Sequence, residues 1–341
     1  MCGCSWPCGD QTLPDVVLGN VLTAFEATTV RDLLNTPTAS LHIGAPPVAT
    51  GLAPLDDALR GGLRIGDLSL LAGRPGVGKT VTALQIARNA ALAGRAVAFV
   101  CSEHSTSAIL ERLLVLEARS IAREDESHLI DTAIHEVIES ARLGSRRGSL
   151  SPLAEEVFAR VSQYGSRLVI AGISSSDFDF DQLESLAPPA EGLLIVDRLD
   201  TRGSAKTELE AISTADFAIA LKSIATRLGI SVLATCGTNQ GGMDARRLSI
   251  SGIKDASSLD PFCDLILILN EKARAVADVA IAFNPAKSDE FSCQVLITVE
   301  KNRAGRGGVN IQFDKDFEFY RLNPQGSFLV EKLLSDVLSE G

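Results

Sequence analysis

Asp67-Leu-Ser-Leu-Leu-Ala-Gly-Arg-Pro-Gly-Val-Gly-Lys-Thr80 carries a short apolar run directly into a Gly-x-x-x-x-Gly-Lys-Thr loop. Leu68 to Ala72 has the length of a buried strand. It ends at Gly73 and a helix starts at Lys79, which is the strand-loop-helix setting a phosphate-binding loop needs. Gly73, Gly76 and Gly78 let the backbone turn its N–H groups inward as an anion nest. The helix N-terminus adds partial positive charge, Lys79 can reach the outer phosphates, and the Thr80 hydroxyl can take one position on Mg²⁺. The loop as a whole, Gly73, Arg74, Pro75, Gly76, Val77, Gly78, Lys79 and Thr80, is therefore the candidate site for a nucleoside triphosphate. A plain glycine-rich turn between strand and helix is the alternative.

Working outward, the 341 residues suffice for one large α/β domain with a small extension. No apolar run approaches the length of a membrane span, and the N-terminus has no basic segment followed by an apolar one. The expectation is a cytoplasmic protein with no membrane association. A net charge of −11 argues against a generally basic, nucleic-acid-coating surface, so any nucleic-acid site must be local. Cys101, Cys236, Cys263 and Cys293 lie in or beside apolar runs, where a reduced thiol behaves as a small hydrophobe. Cys2, Cys4 and Cys8 lack a fourth ligand at zinc-site spacing, so a frayed tail is the simpler reading.

Residues 1–48 form an N-terminal extension and linker, in which Val16 to Leu34 offers one or two short helices and Thr36 to Pro47 is polar and proline-bearing. Residues 49–325 form the main domain, and 326–341 a tail with a short helix. A short helix ended by Gly61-Gly62 leads into the first strand, and the helix from Lys79 runs to Ala93, capped by Gly94. Apolar runs then alternate with helical segments at Ala96 to Cys101, Arg167 to Ala171, Leu193 to Val196, Ile230 to Thr235 and Leu265 to Leu269. Continuous Val/Ile/Leu runs indicate strands covered on both faces, hence an open, doubly wound α/β domain with a mostly parallel sheet. Phe291 to Val299 and Val309 to Phe313 flank a glycine-rich turn and predict a hairpin at the sheet edge.

A phosphate loop needs a second group for Mg²⁺, normally an Asp closing a buried strand. Asp197 supplies it, with Asp200 the lesser candidate. Glu103 lies just past the strand Ala96 to Cys101, taken as the neighbour of the loop's strand. It is the candidate to align the attacking water; capping the helix from Ser105 is the alternative, and His104 is a surface residue. Lys301 and Arg303 sit two apart at a strand end, where they either reach a nucleotide on the next subunit or guard an edge strand. Arg202, Lys206, Arg246 and Arg247 lie in two flexible segments that emerge on the phosphate-loop edge. They track a single strand's phosphates or are simply solvated.

From Ala49 to Phe319 the pattern resembles the RecA-like ATPase domain of DnaB-type replicative helicases. The likeness is carried by Ala49-Thr-Gly-Leu-Ala-Pro-Leu-Asp56, the phosphate loop, Ala98-Phe-Val-Cys-Ser-Glu103, Leu194-Ile-Val-Asp197, Ser257-Ser-Leu-Asp-Pro-Phe-Cys-Asp-Leu-Ile266 and, above all, Glu300-Lys-Asn-Arg-Ala-Gly305. The resemblance implies a RecA-like P-loop NTPase that acts as an ATP-dependent helicase. It implies a hexameric ring around single-stranded DNA, Lys301 and Arg303 acting on the neighbour's γ-phosphate, and a primase or loader as partner. Three departures stand out. The stretch before Ala49 is too short for the family's collar domain, Cys236-Gly237 replaces its usual Ser-Gln pair, and Lys272 to Glu290 is longer than expected. A RecA-like regulatory ATPase that does not unwind DNA is the rival reading.

Overall fold

The structure is a computed structural model describing residues 29–31, 44–143, 149–173, 180–199, 213–276 and 287–329. Two compact units divide the chain at Gly44/Ala45. In the first, residues 29–31 and 44 are described, and Val30 is exposed. The sheet and its helices belong to the second.

Strand β1 (Leu68–Gly73) is buried at every position, as are β2 (Val97–Cys101), β4 (Leu193–Asp197) and β5 (Ser231–Cys236). Such strands have no wet face and must be covered on both sides. The order across the sheet is β10-β8-β7-β6-β1-β5-β4-β2-β3. From β3 (Leu168–Gly172) to β6 (Leu265–Glu271) neighbouring strands run parallel; β7 (Gln294–Asn302), β8 (Val309–Asp316) and β10 (Ser327–Phe328) continue antiparallel. The two-residue β9 (Arg321–Leu322) pairs with β8.

Alternate side chains feed two cores. Leu71, Phe99, Ile195 and Leu233 face helix α2 (Lys79–Leu92) through Ala83, Leu84 and Ala87. Leu70, Val100, Val196 and Ala234 face helix α7 (Thr214–Leu228) through Phe217, Leu221 and Ile224. The doubly wound expectation holds. Helix α1 (Ala53–Ala58) precedes β1, and α2 ends at Leu92, followed by Ala93 as its cap and Gly94 at φ 95°. Between β2 and β3 stand three packed helices, α3 (Thr106–Ile121), α4 (Ile130–Leu143) and α5 (Pro152–Tyr164), joined through Leu114, Ile134 and Val157. Shorter helices complete the layers: α6 (Phe180–Ser185), α8 (Gln240–Asp244), α9 (Ala256–Leu259), α10 (Lys272–Ala275) and α11 (Lys287–Ser292).

One buried polar trio fastens the three-helix layer to the helix of the phosphate loop. Glu117 is fully buried and accepts from Arg88 Nε and Nη2, both at 2.6 Å, and from the Tyr164 hydroxyl at 3.2 Å. Burial pulls the Arg88 guanidinium down, but the Glu117 pair outweighs it and holds the group above its ordinary value. Burial and then the Glu117 charge push the Tyr164 phenol up.

Several expectations need correction. The strand carrying Glu103 is not beside β1: β5 and β4 lie between, because the connection through α2 passes over two strand positions. The β7/β8 hairpin is not the sheet edge, since β10, at the start of the stretch read as a tail, pairs outside it. Cys101, Cys236 and Cys263 are buried as expected, whereas Cys293 is exposed at the turn before β7. The Lys272 to Glu290 stretch opens with Lys272, whose buried amine donates to Gln294 Oε1 at 2.9 Å and Gln312 Oε1 at 2.6 Å over the Phe291 ring. Residues 277–286, Asp200, the N-terminal cysteines and most of the linker lie outside the described residues.

Candidate nucleotide site

Parallel pairing brings the carboxyl ends of β1, β5, β4 and β2 to one edge. Ala72 lies beside Cys236, and Asp197 beside Cys101. Open α/β sheets bind ligands at this edge. Gly76 and Gly78 have φ of 78° and 101°, which L side chains resist. A Cβ on Gly78 would overlap the Phe317 ring, whereas one on Gly76 would meet nothing within 4 Å. The loop is therefore walled on one side and open on the other. The Lys79 amine donates to the carbonyls of Gly73 at 2.9 Å and Arg74 at 3.0 Å, so it already lies over the cradle.

Asp197 closes β4 with 1% of its surface exposed. The Thr235 hydroxyl of β5 donates to its Oδ1 at 2.6 Å, and the Cys101 thiol of β2 lies 3.7 Å from Oδ2. Burial, then the aspartate's charge, pushes the Cys101 thiol up to about 11. One oriented hydroxyl and one weak sulfur donor leave the carboxylate with acceptor capacity for a hard cation, which suits Mg²⁺. Thr80 stands half-buried in the first turn of α2. The donor set fits a triphosphate with its magnesium.

Glu103 is two residues past β2, and its carboxylate is held by Arg198, the residue after Asp197. It does not cap α3, because the Ser105 side chain accepts from Ala108 N instead. The Arg74 side chain does not face the cradle. It is buried beneath the loop, where Nε donates to the Gly242 carbonyl at 2.9 Å, Nη1 to Asn270 Oδ1 at 3.3 Å and Nη2 to the Ala245 carbonyl.

Of the two segments expected to be flexible, residues 240–252 emerge at the expected edge but are built, with α8 followed by a 3₁₀ turn at Ile250–Gly252. Arg246 is exposed, while Arg247 turns inward to Glu300 Oε1 at 2.9 Å. Arg202 and Lys206 lie outside the described residues. Behind Gly237, Asn239 is committed to its own loop, accepting from Gly242 N at 2.8 Å and donating to the Ser251 carbonyl at 2.9 Å. The Thr238 hydroxyl is buried without a hydrogen-bond partner.

Lys301 and Arg303 lie at the opposite edge. Arg303 N donates to the Asp264 carbonyl, and Asp264 N to the carbonyl of Leu68, where β1 begins. The five residues from there to Gly73 span about 17 Å. The Arg303 guanidinium reaches Asp264 Oδ1 at 3.3 Å and the Pro261 carbonyl at 2.7 Å, and the Lys301 amine reaches Asp260 Oδ1 at 2.9 Å. These two residues share a side, as their spacing predicts, but far from their own phosphate loop. Thr235, Arg198 and Asn270 were missed by the sequence reading. Asn270 carried a usable signal: an amide closing the run Leu265-Ile-Leu-Ile-Leu must be hydrogen-bonded where it is buried.

Fold and cradle together define a P-loop domain of RecA-like α/β architecture. Residues 47–157 match the family model of the DnaB-like helicase C-terminal domain. The replicative DNA helicase DnaB of Rickettsia conorii is 26% identical across 79% of this chain and 56% of its own length. The solved structure of a DnaB-like replicative helicase studied with primase superposes with a TM-score of 0.61 at 18% identity, covering 87% of this chain and 67% of that one. A second solved structure, an ATPase domain, superposes with a TM-score of 0.62 at 18% identity, covering 87% of this chain and 99% of that one. The likeness to the DnaB-like C-terminal domain lies in residues 47–157, the superpositions show a RecA-like fold, and the chain spans about half the length of the curated relatives it matches.

Proposed function

We propose that this chain is an ATP-dependent DNA helicase or translocase of the DnaB-like class, hydrolysing ATP between subunits of a hexameric ring that encloses single-stranded DNA. The observation that carries the reading is the division of the reacting groups between two sheet edges. Lys79, Thr80, Asp197 and Glu103 gather at one edge, and Lys301 and Arg303 at the other, about 17 Å away along β1, beyond the reach of an arginine side chain. Head-to-tail repetition brings the second set to the first, and a rotation that closes makes a ring.

In this reading Lys79 and the loop amides bind the phosphates, while Thr80 and Asp197 hold Mg²⁺, with Thr235 fixing the aspartate's orientation. When bound, the cation offsets charge on the phosphate oxygens. Glu103 aligns the attacking water after leaving Arg198, and Arg303 and Lys301 of the next subunit neutralise charge developing in the transition state. Arg246 faces solvent and contacts DNA together with Arg202 and Lys206, whereas Arg247 serves the fold. The reading places the protein in the cytoplasm, with a primase or loader as candidate partner; among the described residues no helix is long and apolar enough to cross a membrane.

A RecA-like regulatory ATPase that switches assembly without unwinding is the second reading, favoured by Gly237 and the −11 net charge. ATP turnover measured with and without single-stranded DNA, together with strand displacement from a forked duplex, separates the two. DNA-stimulated turnover with displacement supports the motor, and turnover indifferent to DNA overturns it.

A further inference from the structure

The segment Asn239 to Ile253 is a closed piece bonded both to the phosphate loop and to the strand residue just before Lys301. Asn239 staples it: its backbone N donates to the Gly252 carbonyl at 3.0 Å, and its side chain bonds Gly242 and Ser251. Gly242 and Gly252 touch so closely that a Cβ on either would overlap the other's backbone. At one end Arg74, within the phosphate loop, donates to the carbonyls of Gly242 and Ala245. Asn270 fixes the next residue pair, accepting from Leu248 N at 2.7 Å and donating to the Leu248 carbonyl at 3.1 Å while also accepting from Arg74. Two residues beyond Ala245, Arg247 pairs with Glu300.

Glu300 is no ordinary strand residue. Leu267 faces Val299 and Ile266 faces Lys301, so Glu300 is the extra residue of a β-bulge immediately before Lys301. A bulge leaves its extra residue unpaired, bends the strand locally and re-aims side chains beside it. The buried Arg74 guanidinium donates to neutral oxygens held by this segment and by Asn270. Moving the loop alone would strand a buried charge, so loop and segment move together.

We infer that residues 239–253 are a rigid relay through which occupancy of one phosphate loop re-aims Lys301 and Arg303 toward the neighbour's site, with Arg74, Asn270, Arg247 and Glu300 as positioning residues. The relay rests on the ring reading for its purpose but not for its mechanics, which lie within one chain. It also supplies a route from nucleotide to the 240–252 segment that needs no side chain at Gly237.

Amide hydrogen exchange on isotope-labelled full-length subunits tests it. They are diluted into an excess of unlabelled Lys79→Ala chains, so that each labelled subunit faces an empty neighbouring site, and saturated with a non-hydrolysable ATP analogue and Mg²⁺. In the unaltered labelled chain, exchange should change at 73–80, 240–252 and 298–304. Arg74→Lys keeps the charge and loses the fork. It should confine the change to 73–80, reducing the effect at 240–252 about tenfold, as losing a charge-assisted hydrogen bond does. Arg247→Gln should let the change reach 240–252 but not 298–304. An undiminished response at 240–252 in Arg74→Lys, or at 298–304 in Arg247→Gln, overturns the relay; should Arg74→Lys not fold, Arg247→Gln decides alone. No analogue binding by the unaltered chain would instead defeat the nucleotide-site reading, and a solitary chain in every condition would defeat the ring while the relay still read out.

Discussion

Removing the Arg303 guanidinium is the sharpest test of a shared active site. Its present contacts are weak: the side chain is 49% exposed, and an ion pair that open to water is worth about 0–1 kcal/mol. Leaving Asp264 therefore costs little compared with what a guanidinium on a transferring phosphoryl group contributes, about 10³–10⁵ in kcat, or roughly 4–7 kcal/mol. Arg303→Ala should lower ATP turnover by about that factor, with nucleotide binding and ring mass changed little. In the ring reading the group serves the next subunit, so mixing Arg303→Ala with the equally inactive Lys79→Ala chain creates interfaces that combine an intact loop with an intact arm. Random 1:1 assembly of a head-to-tail ring gives about one such interface in four, so turnover should reappear at up to about a quarter of the unaltered level. Steady-state phosphate release, checked against oligomer mass, measures both outcomes. Turnover by Arg303→Ala within about threefold of the unaltered chain would refute the shared site, since a group in the transition state cannot be removed so cheaply.

Other outcomes follow from the same geometry. Thr235→Val removes the hydroxyl that orients Asp197 and should lower kcat about 10–100-fold, with a shifted Mg²⁺ requirement in a metal titration; an unchanged Mg²⁺ dependence would detach Thr235 from the site. Glu117→Ala leaves the Arg88 guanidinium, 11% exposed, without its partner, and urea denaturation should show a loss of about 3–5 kcal/mol. A loss below about 1 kcal/mol would mean that water or a neighbour had replaced it. Burial holds the Cys101 thiol near 11 and the Cys263 thiol near 12, so both remain protonated at pH 8. Peptide-resolved alkylation at that pH should mark Cys293 and spare Cys101 and Cys263; labelling of all three at equal rates would contradict the packing of β2 and of the turn before β6. Gly78→Ala forces φ 101° on an L residue and drives a methyl into Phe317, so nucleotide affinity measured by calorimetry should drop sharply; unchanged affinity would falsify the strain argument.

Much of this was legible from residue type and spacing, because strands buried on both faces write themselves as unbroken apolar runs. β1, β2, β4, β5 and β6 lie within a residue or two of where those runs place them. Strand order was not legible. Nothing local to Ala96–Cys101 states that two later strands will insert between it and β1, since insertion is decided by packing between segments far apart in the chain. The same holds for side-chain destinations. Arg74 sits in the loop's sequence but points beneath it, and Arg247 reads as a basic surface residue yet answers a half-buried carboxylate from a bulge that only the β6/β7 register creates. Burial raises the Glu300 carboxyl above its ordinary range, with Arg247 opposing, so charged residues in polar stretches are not all solvated.

The separation of Arg303 from the loop on its own chain carries a physiological corollary under the ring reading. A lone subunit holds ATP but lacks the group that completes its cleavage, so specific turnover should fall off with dilution as rings come apart. Newly made or dissociated copies would then stay idle, and the motor would draw on the nucleotide pool only once assembled.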